Sequence, residues 1–236
     1  MTTVILQPTY LPWVGYFDMI DRADLFVILD NVQFEKQAWQ QRNKIKTGVG
    51  TWKWLTVPVV QNFQQLLNKT RIKNDQKWKK KHWKTIQQFY CKSVYWEDYS
   101  AKFDEIYSKN WELLIDLNIN IIQYLINEFG INVKILRSSL LNLPGKNVNY
   151  LINICNYLKT DTYLSPPRAA CYIEKNNLFL DEGINLVYHN YKHPKYNQQF
   201  GEFIPYMSSI DLLFNEGINS LNIIKSGRIE ISERIL

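Results

Sequence analysis

The sequence predicts an α/β protein: a mainly parallel, Rossmann-like sheet with helices on both faces and a helical insertion around residues 75–130. Three observations carry that expectation. The chain opens on a short apolar run, Val4-Ile5-Leu6, that breaks at Pro8, turns through Tyr10, Pro12 and Trp13, and enters a helical pattern. A second short run, Ala23 to Leu29, is almost continuously apolar, as a parallel strand covered on both faces must be. Strand-like and helix-like segments then alternate along most of the chain, which is the signature of a sheet wrapped by crossover helices.

Taken in order, Val4–Gln7 reads as the first strand, residues 13–21 as a helix and residues 23–29 as the second strand, ended by Asp30-Asn31. Residues 36–46 are polar and cationic. A third strand is expected at Thr51–Val57, closed by Pro58. From 76 to 129 the period becomes helical, with Trp78, Ile86, Phe89 and Tyr90 on one face and Phe103, Ile106 and Tyr107 continuing the pattern. Asn118 is expected to interrupt the second of these helices and Gly130 to cap its end. Strands follow at 133–136, 162–164 and 185–188, with a helix at 148–158. A last helix starts near Ser208-Ser209, has Asp211 in its first turn, where the positive end of the helix dipole favours a carboxylate, and stops at Gly217. The 236 residues, 46% apolar, read as a single domain with the insertion inside it.

Composition narrows the function classes. Cys91, Cys155 and Cys171 are odd in number and widely spaced, so no disulfide framework is expected. Of His82, His189 and His193, the last two have i, i+4 spacing, but Pro194 and the strand-like run before them argue against a helix that would put both rings on one face, and no metal is expected. No run of 18 apolar residues and no basic-flanked leader is present, so the expectation is a soluble, cytoplasmic protein without membrane insertion. The net charge of +6 favours anionic partners. Part of it is concentrated in Lys77-Trp78-Lys79-Lys80-Lys81-His82-Trp83-Lys84, a lysine-coated helix face that is either simply solvated or contacts RNA or a membrane surface.

There is no G-x-S-x-G elbow, P-loop or G-x-G-x-x-G. Three polar and aromatic clusters remain at the expected strand ends: Gln7, Tyr10, Trp13 and Tyr16; Asp30, Gln33, Trp39, Arg42, Asn43 and Lys46; and Ser165, Arg168 and Tyr172 with Tyr196, Gln198 and Gln199. In a parallel sheet these ends share one side, where open α/β folds bind ligands. Tyr10, Trp13 and Tyr16 suit a sugar, because aromatic faces pack its C–H surface. Arg42, Lys46 and Arg168 suit phosphate, arginine best of all through its planar fork. Asp30 and His189 are the candidate general bases.

The runs Gln7 to Asp18, Leu29-Asp30-Asn31-Val32-Gln33-Phe34, Trp39-Gln40-Gln41-Arg42-Asn43, Tyr163-Leu164-Ser165, His193-Pro194-Lys195-Tyr196-Asn197-Gln198 and Ser209 to Gly217 together resemble the WbqC-like protein family. The chain departs from it at Ser165-Pro166-Pro167, where the family favours glycine after the serine. The resemblance implies a setting in bacterial surface-polysaccharide (O-antigen) synthesis and a nucleotide-linked amino sugar as substrate. The activity expected on that basis is N-acyl or aminoacyl (glycyl) transfer to the sugar amine. The acyl donor is left open between aminoacyl-tRNA, acyl-CoA and ATP plus an amino acid, and a tRNA donor would give the lysine-rich helix a partner. The layout is also similar to nucleotidylyltransferase-like adenylating ligases, but Trp13 and Tyr16 stand where those enzymes carry histidines, so only architecture transfers. Two other classes remain open on the residues: a non-catalytic sugar-nucleotide-binding module and an RNA-binding protein.

Overall fold

A computed structural model describes residues 1–75, 77–169 and 178–229. Its centre is a five-stranded, all-parallel sheet built from β1 (Thr2–Leu6), β2 (Leu25–Ile28), β5 (Lys134–Arg137), β6 (Thr162–Ser165) and β7 (Asn185–Tyr188), in the order β5-β2-β1-β6-β7. The register pairs Thr3 with Leu25 and Tyr163, Leu25 with Lys134, and Thr162 with Asn185. Strand order reverses at β1, so the crevice between the carboxyl ends of β1 and β6 is the topological switch point of a doubly wound fold.

β1 is buried on both faces. Val4 and Leu6 enter one apolar cluster, and Ile5 enters another on the opposite face. The larger cluster is covered by α1 (Val14–Asp21), α2 (Trp78–Tyr90), α3 (Trp96–Ser108), α4 (Leu114–Glu128), α7 (Ser209–Glu216) and α8 (Ser220–Ser226). The smaller one is covered by α5 (Asn147–Leu158) and α6 (Leu178–Asp181). Because both faces are dry, the strands carry apolar residues without the in-out alternation of a half-exposed sheet.

Two elements differ from the sequence expectation. The polar, cationic stretch to which the sequence pattern assigns no element contains a strand, β3 (Arg42–Gly48), which pairs antiparallel with β4 (Thr51–Thr56) in a separate two-stranded ribbon. The expected third strand therefore lies outside the main sheet. Ile45 and Leu55 are buried and anchor this ribbon, Arg42 and Lys44 stay partly exposed and Lys46 is buried, so the lysines and arginines mask the strand pattern in the sequence. The helical break also falls elsewhere. Residues 109–113 separate α3 from α4 because this stretch pairs with residues 70–72, through Ile72 N–H to Glu112 O and Leu114 N–H to Thr70 O. Asn118 sits inside α4, fully buried, and its amide donates to Pro8 O and Gln40 O, fastening two loops to the helix. Gly130, at φ +68°, ends α4 as expected.

α2 packs on the ribbon through a buried histidine. His82 Nδ1 is 2.9 Å from the Tyr10 hydroxyl, which also bonds Tyr107, and the ring bonds the Thr56 backbone. Burial lowers the His82 pKa from 6.5 to about 3. Below pH 6.5 the unfolded chain takes up this proton and the folded chain does not. Stability is therefore complete above pH 6.5 and falls as the pH drops towards 3, by about 1.4 kcal/mol per unit from this group. Urea denaturation at pH 7, 5.5 and 4.5 should show a flatter acid limb for His82→Gln than for the native chain.

Candidate functional site

The loop after β1 is shaped by backbone bonds before any ligand is considered. Leu11 adopts φ +48°, and its carbonyl accepts from the buried amide of Asn43 on β3. Tyr10 is fully buried, with its hydroxyl spent on His82 and Tyr107. Tyr16 is buried against Phe17 and Phe26, and its hydroxyl donates to Gln7 O. Neither ring has a face open to a sugar, in contrast to the expectation for this loop. Trp13 differs. It is half-buried, begins α1, and lies over Gly15, where an added Cβ would sit 2.2 Å from the indole. The glycine is required by this close approach.

Around Trp13 the chain assembles an aromatic box. The Trp13 indole stacks on His193 at 6.0 Å and meets Tyr206 at 5.6 Å and Tyr191 at 5.8 Å. Phe203 and Tyr196 close on the other side of His193. Trp13 also forms an antiparallel bridge with Ser208, and Ser209 N–H donates to Pro12 O, so the starts of α1 and α7 meet here. Two buried polar atoms at this junction, His193 Nε2 and Ser209 Oγ, have no hydrogen-bond partner among the described residues. Such atoms are rare in native interiors, and a ligand is one way of satisfying them.

The state of His193 follows from its surroundings. Its Nδ1 is 2.9 Å from Pro194 O, and a carbonyl only accepts, so Nδ1 carries the proton and Nε2 the lone pair. Burial holds the His193 pKa below its ordinary value, against the smaller opposing effect of the Pro194 bond. The ring is thus a neutral imidazole with its basic nitrogen unengaged.

Behind the box lies a buried carboxylate, Asp211, in the first turn of α7. It accepts from Tyr90 and Tyr196 at 2.8 Å and from Gln198 at 2.7 Å. Burial raises its pKa, and those three bonds oppose the rise. Desolvation thus outweighs the three hydrogen bonds and the Lys46 charge that favour the carboxylate. Lys46 is also buried, donates to Glu202 O and Gly201 O, and is held below its usual pKa by desolvation, opposed by Asp211 and Glu202. The structure therefore brings Lys46, Tyr196 and Gln198 together from two sequence clusters, but as a scaffold around Asp211 rather than as a phosphate clamp. Gln199 bonds Ser93 instead.

The two candidate bases lie in separate places. Asp30 is fully buried and accepts from the Arg137 guanidinium at 2.8 Å, from Ser139 Oγ at 2.7 Å and N–H at 2.9 Å, and from Ser138 Oγ at 3.1 Å. With its lone pairs so engaged, it ties the carboxyl end of β2 to that of β5. His189, just beyond β7, bonds the buried Asp18 of α1 through Nε2 at 2.8 Å and stacks on Tyr191 at 5.3 Å. Arg228 closes the same group on Asp18 and Asp21. Tyr191 contacts both His189 and Trp13, so this pair adjoins the box.

The remaining sequence candidates are dispersed. Gln7 Oε1 accepts from Gln40, and Ser165 is buried with its carbonyl accepting from His189 N–H. Gln33 is exposed and bridges Leu66. Trp39 and Arg42 lie at the ribbon against Trp54. Tyr172 and the Arg168 side chain lie outside the described residues. Sequence reasoning missed Ser209, Tyr206 and the role of His193, which it weighed only as a metal ligand. No local signal marked them, since every residue is followed by a carbonyl and that of Pro194 fixes the tautomer only because the fold turns it onto His193 Nδ1.

Fold and site define a doubly wound α/β protein with an aromatic, histidine-bearing cluster beyond the sheet's carboxyl side. The profile of the WbqC-like protein family matches residues 7–223, and the chain belongs to that family. It is 31% identical over 217 residues to the uncharacterized protein Rv1507c of Mycobacterium tuberculosis, covering 90% of this chain and 93% of that protein. No solved structure gives a significant match. Among the described residues, no helix is long and apolar enough to cross a membrane.

Because Asp30 anchors two strands, its loss should be a folding defect. Asp30→Ala leaves the Arg137 guanidinium and the Ser139 N–H and hydroxyl without their acceptor, while Ser138 Oγ keeps Asn31 Oδ1, and it should destabilise the protein by about 3–5 kcal/mol in chemical denaturation.

Proposed function

We propose that this protein is a transferase that acylates the amine of a nucleotide-linked amino sugar, with the sugar held in the Trp13 box. The observation that carries this reading is the pair of unpartnered polar atoms, His193 Nε2 and Ser209 Oγ, set beside stacked rings. A pyranose supplies both complements: a C–H face for Tyr206, the exposed ring of the box, and polar substituents for the two atoms. The setting in surface-polysaccharide synthesis is the one that WbqC-like membership suggests.

In this reading the sugar amine enters from the ammonium form, which releases one proton to solvent before the nitrogen can attack. The free nitrogen then attacks the acyl carbonyl carbon, forming the C–N bond. The donor's leaving group departs with the electrons of its bond to that carbon, and a proton leaves nitrogen for His193 Nε2. A fixed tautomer suits this task, because the accepting lone pair needs no reorganisation. Ser209 Oγ orients a hydroxyl neighbouring the amine. The His189-Asp18 pair holds Tyr191 against Trp13 and so keeps the box in shape. The donor is an activated acyl group of thioester, ester or acyl-phosphate type.

The test is mass spectrometry of dTDP- and UDP-linked amino sugars incubated with the protein and acyl-CoA, aminoacyl-tRNA, formyl-folate, or ATP plus glycine. A donor-dependent mass gain on the sugar nucleotide is expected. His193→Gln should lower the rate by about 10²- to 10⁴-fold while the fold is retained. No gain, with thermal protection by a sugar nucleotide, would instead establish a non-catalytic binding module.

A further inference from the structure

The ribbon of β3 and β4 carries a surface that the proposed transfer does not use. Ile45 and Leu55 anchor its inner side, and α2 packs against it through the His82 bond to Thr56 and the Tyr90 bond to Lys46 N–H. On the outer side, tryptophans and cations interleave. Trp54 lies 5.7 Å from Trp52 and 5.6 Å from Trp39. Arg42 sits 4.3 Å over the Trp54 ring, and Lys44 sits 4.2 Å over Trp52 and 5.2 Å from Trp54. Trp39 and Trp52 remain 39% and 42% exposed, a large apolar display for a short ribbon.

The charge around this ribbon is lopsided. Between residues 36 and 96 the sequence holds 14 of the 28 basic residues and a single acid, Asp75, whereas the other 14 basic residues share the chain with 21 acids. The protein's positive charge therefore belongs to this region, while the remainder is acidic overall. The same region contains α2, whose Lys77, Lys80, Lys81 and Lys84 line an open groove of about 330 Å³ with Thr85 and Gln88.

We propose that the outer face of the β3-β4 ribbon is a docking platform for single-stranded RNA, with bases stacking on Trp39 and Trp52 and phosphates neutralised by Arg42 and Lys44. The inference stands independently of the transferase reading. Exposed indoles accept any base face, and each stacked base contributes without sequence readout. The cations between the rings lie where a backbone would run past stacked bases, and arginine against an indole also offers its free edge to phosphate. The ribbon is open rather than concave, so one nucleotide would leave much of its surface in water, whereas a strand engages several rings at once. A duplex hides its base faces and could use only the charge.

The experiment is fluorescence anisotropy of a 5′-labelled ten-nucleotide oligouridine titrated with the full chain at several potassium chloride concentrations. Binding should weaken linearly in log–log form as salt rises. The Trp39→Ala/Trp52→Ala pair should weaken binding by roughly tenfold or more without changing thermal stability, and Trp52→Tyr should retain most of it. Lys80→Gln/Lys81→Gln should reduce the salt dependence yet keep the preference for single strand over duplex. The proposal is overturned if the tryptophan pair binds like the native chain, or if an RNA duplex binds as tightly as the single strand. It also fails if uridine monophosphate competes as well per mole as the decamer, which would mark a mononucleotide subsite. Equal displacement by polyglutamate would reduce the surface to an acidic-protein contact. An absence of oligouridine binding would refute it outright.

Discussion

Burial of β1 on both faces sets the rest of the arrangement. A strand with Val4 and Leu6 in one apolar cluster and Ile5 in the other has to sit in the middle of the sheet, with partners on both edges. Its parallel pairing with β2 on one side and β6 on the other then fixes where strand order reverses. The segments that bear Trp13 and His193 follow the carboxyl ends of β1 and β7. A one-residue slip of β1 would exchange its two faces and break both clusters at once, so the register is strongly specified.

The polar side of the sheet is held by buried carboxylates. Asp30 joins the ends of β2 and β5, Asp18 joins α1 to His189 and to Arg228 near the end of the described chain, and Asp211 joins α7 to α2 and to the segment around Tyr196. Each carboxylate is almost wholly removed from water, at 0–1% exposure, and each is surrounded by donors. Such groups are costly when incompletely paired and rigid when fully paired. The three create a firm frame, against which two buried polar atoms of the Trp13 box, His193 Nε2 and Ser209 Oγ, have no partner among the described residues. A rigid frame with a few unsatisfied atoms is what a preorganised binding site requires.

The aromatic content divides between interior and surface in a way that composition conceals. Tyr10, Tyr90 and Tyr107 are buried rings whose hydroxyls serve internal hydrogen bonds, whereas Trp39 and Trp52 stand on the outside of the ribbon. The difference lies in the partners. Tyr10 finds His82 and Tyr107 across the core, while the ribbon tryptophans find only each other and two cations.

The sequence by itself determined the α/β class, the parallel strands at β1, β2, β5, β6 and β7, the helices between 76 and 129 and the Ser208 cap and Gly217 stop of α7, because apolar periodicity, prolines, glycines and caps act over a few residues. It also carried the family resemblance. Only the tertiary structure decided that Asp30 is saturated by donors, that Tyr10 and Tyr16 are core rings, that Asn118 fastens loops instead of breaking a helix, and that Trp13, His193 and Ser209 meet. These outcomes turn on contacts between residues far apart in the chain, such as Asp30 with Arg137 and Trp13 with His193. Local pattern is silent about them, since a side chain's chemistry depends on which distant group removes its water and supplies its partner.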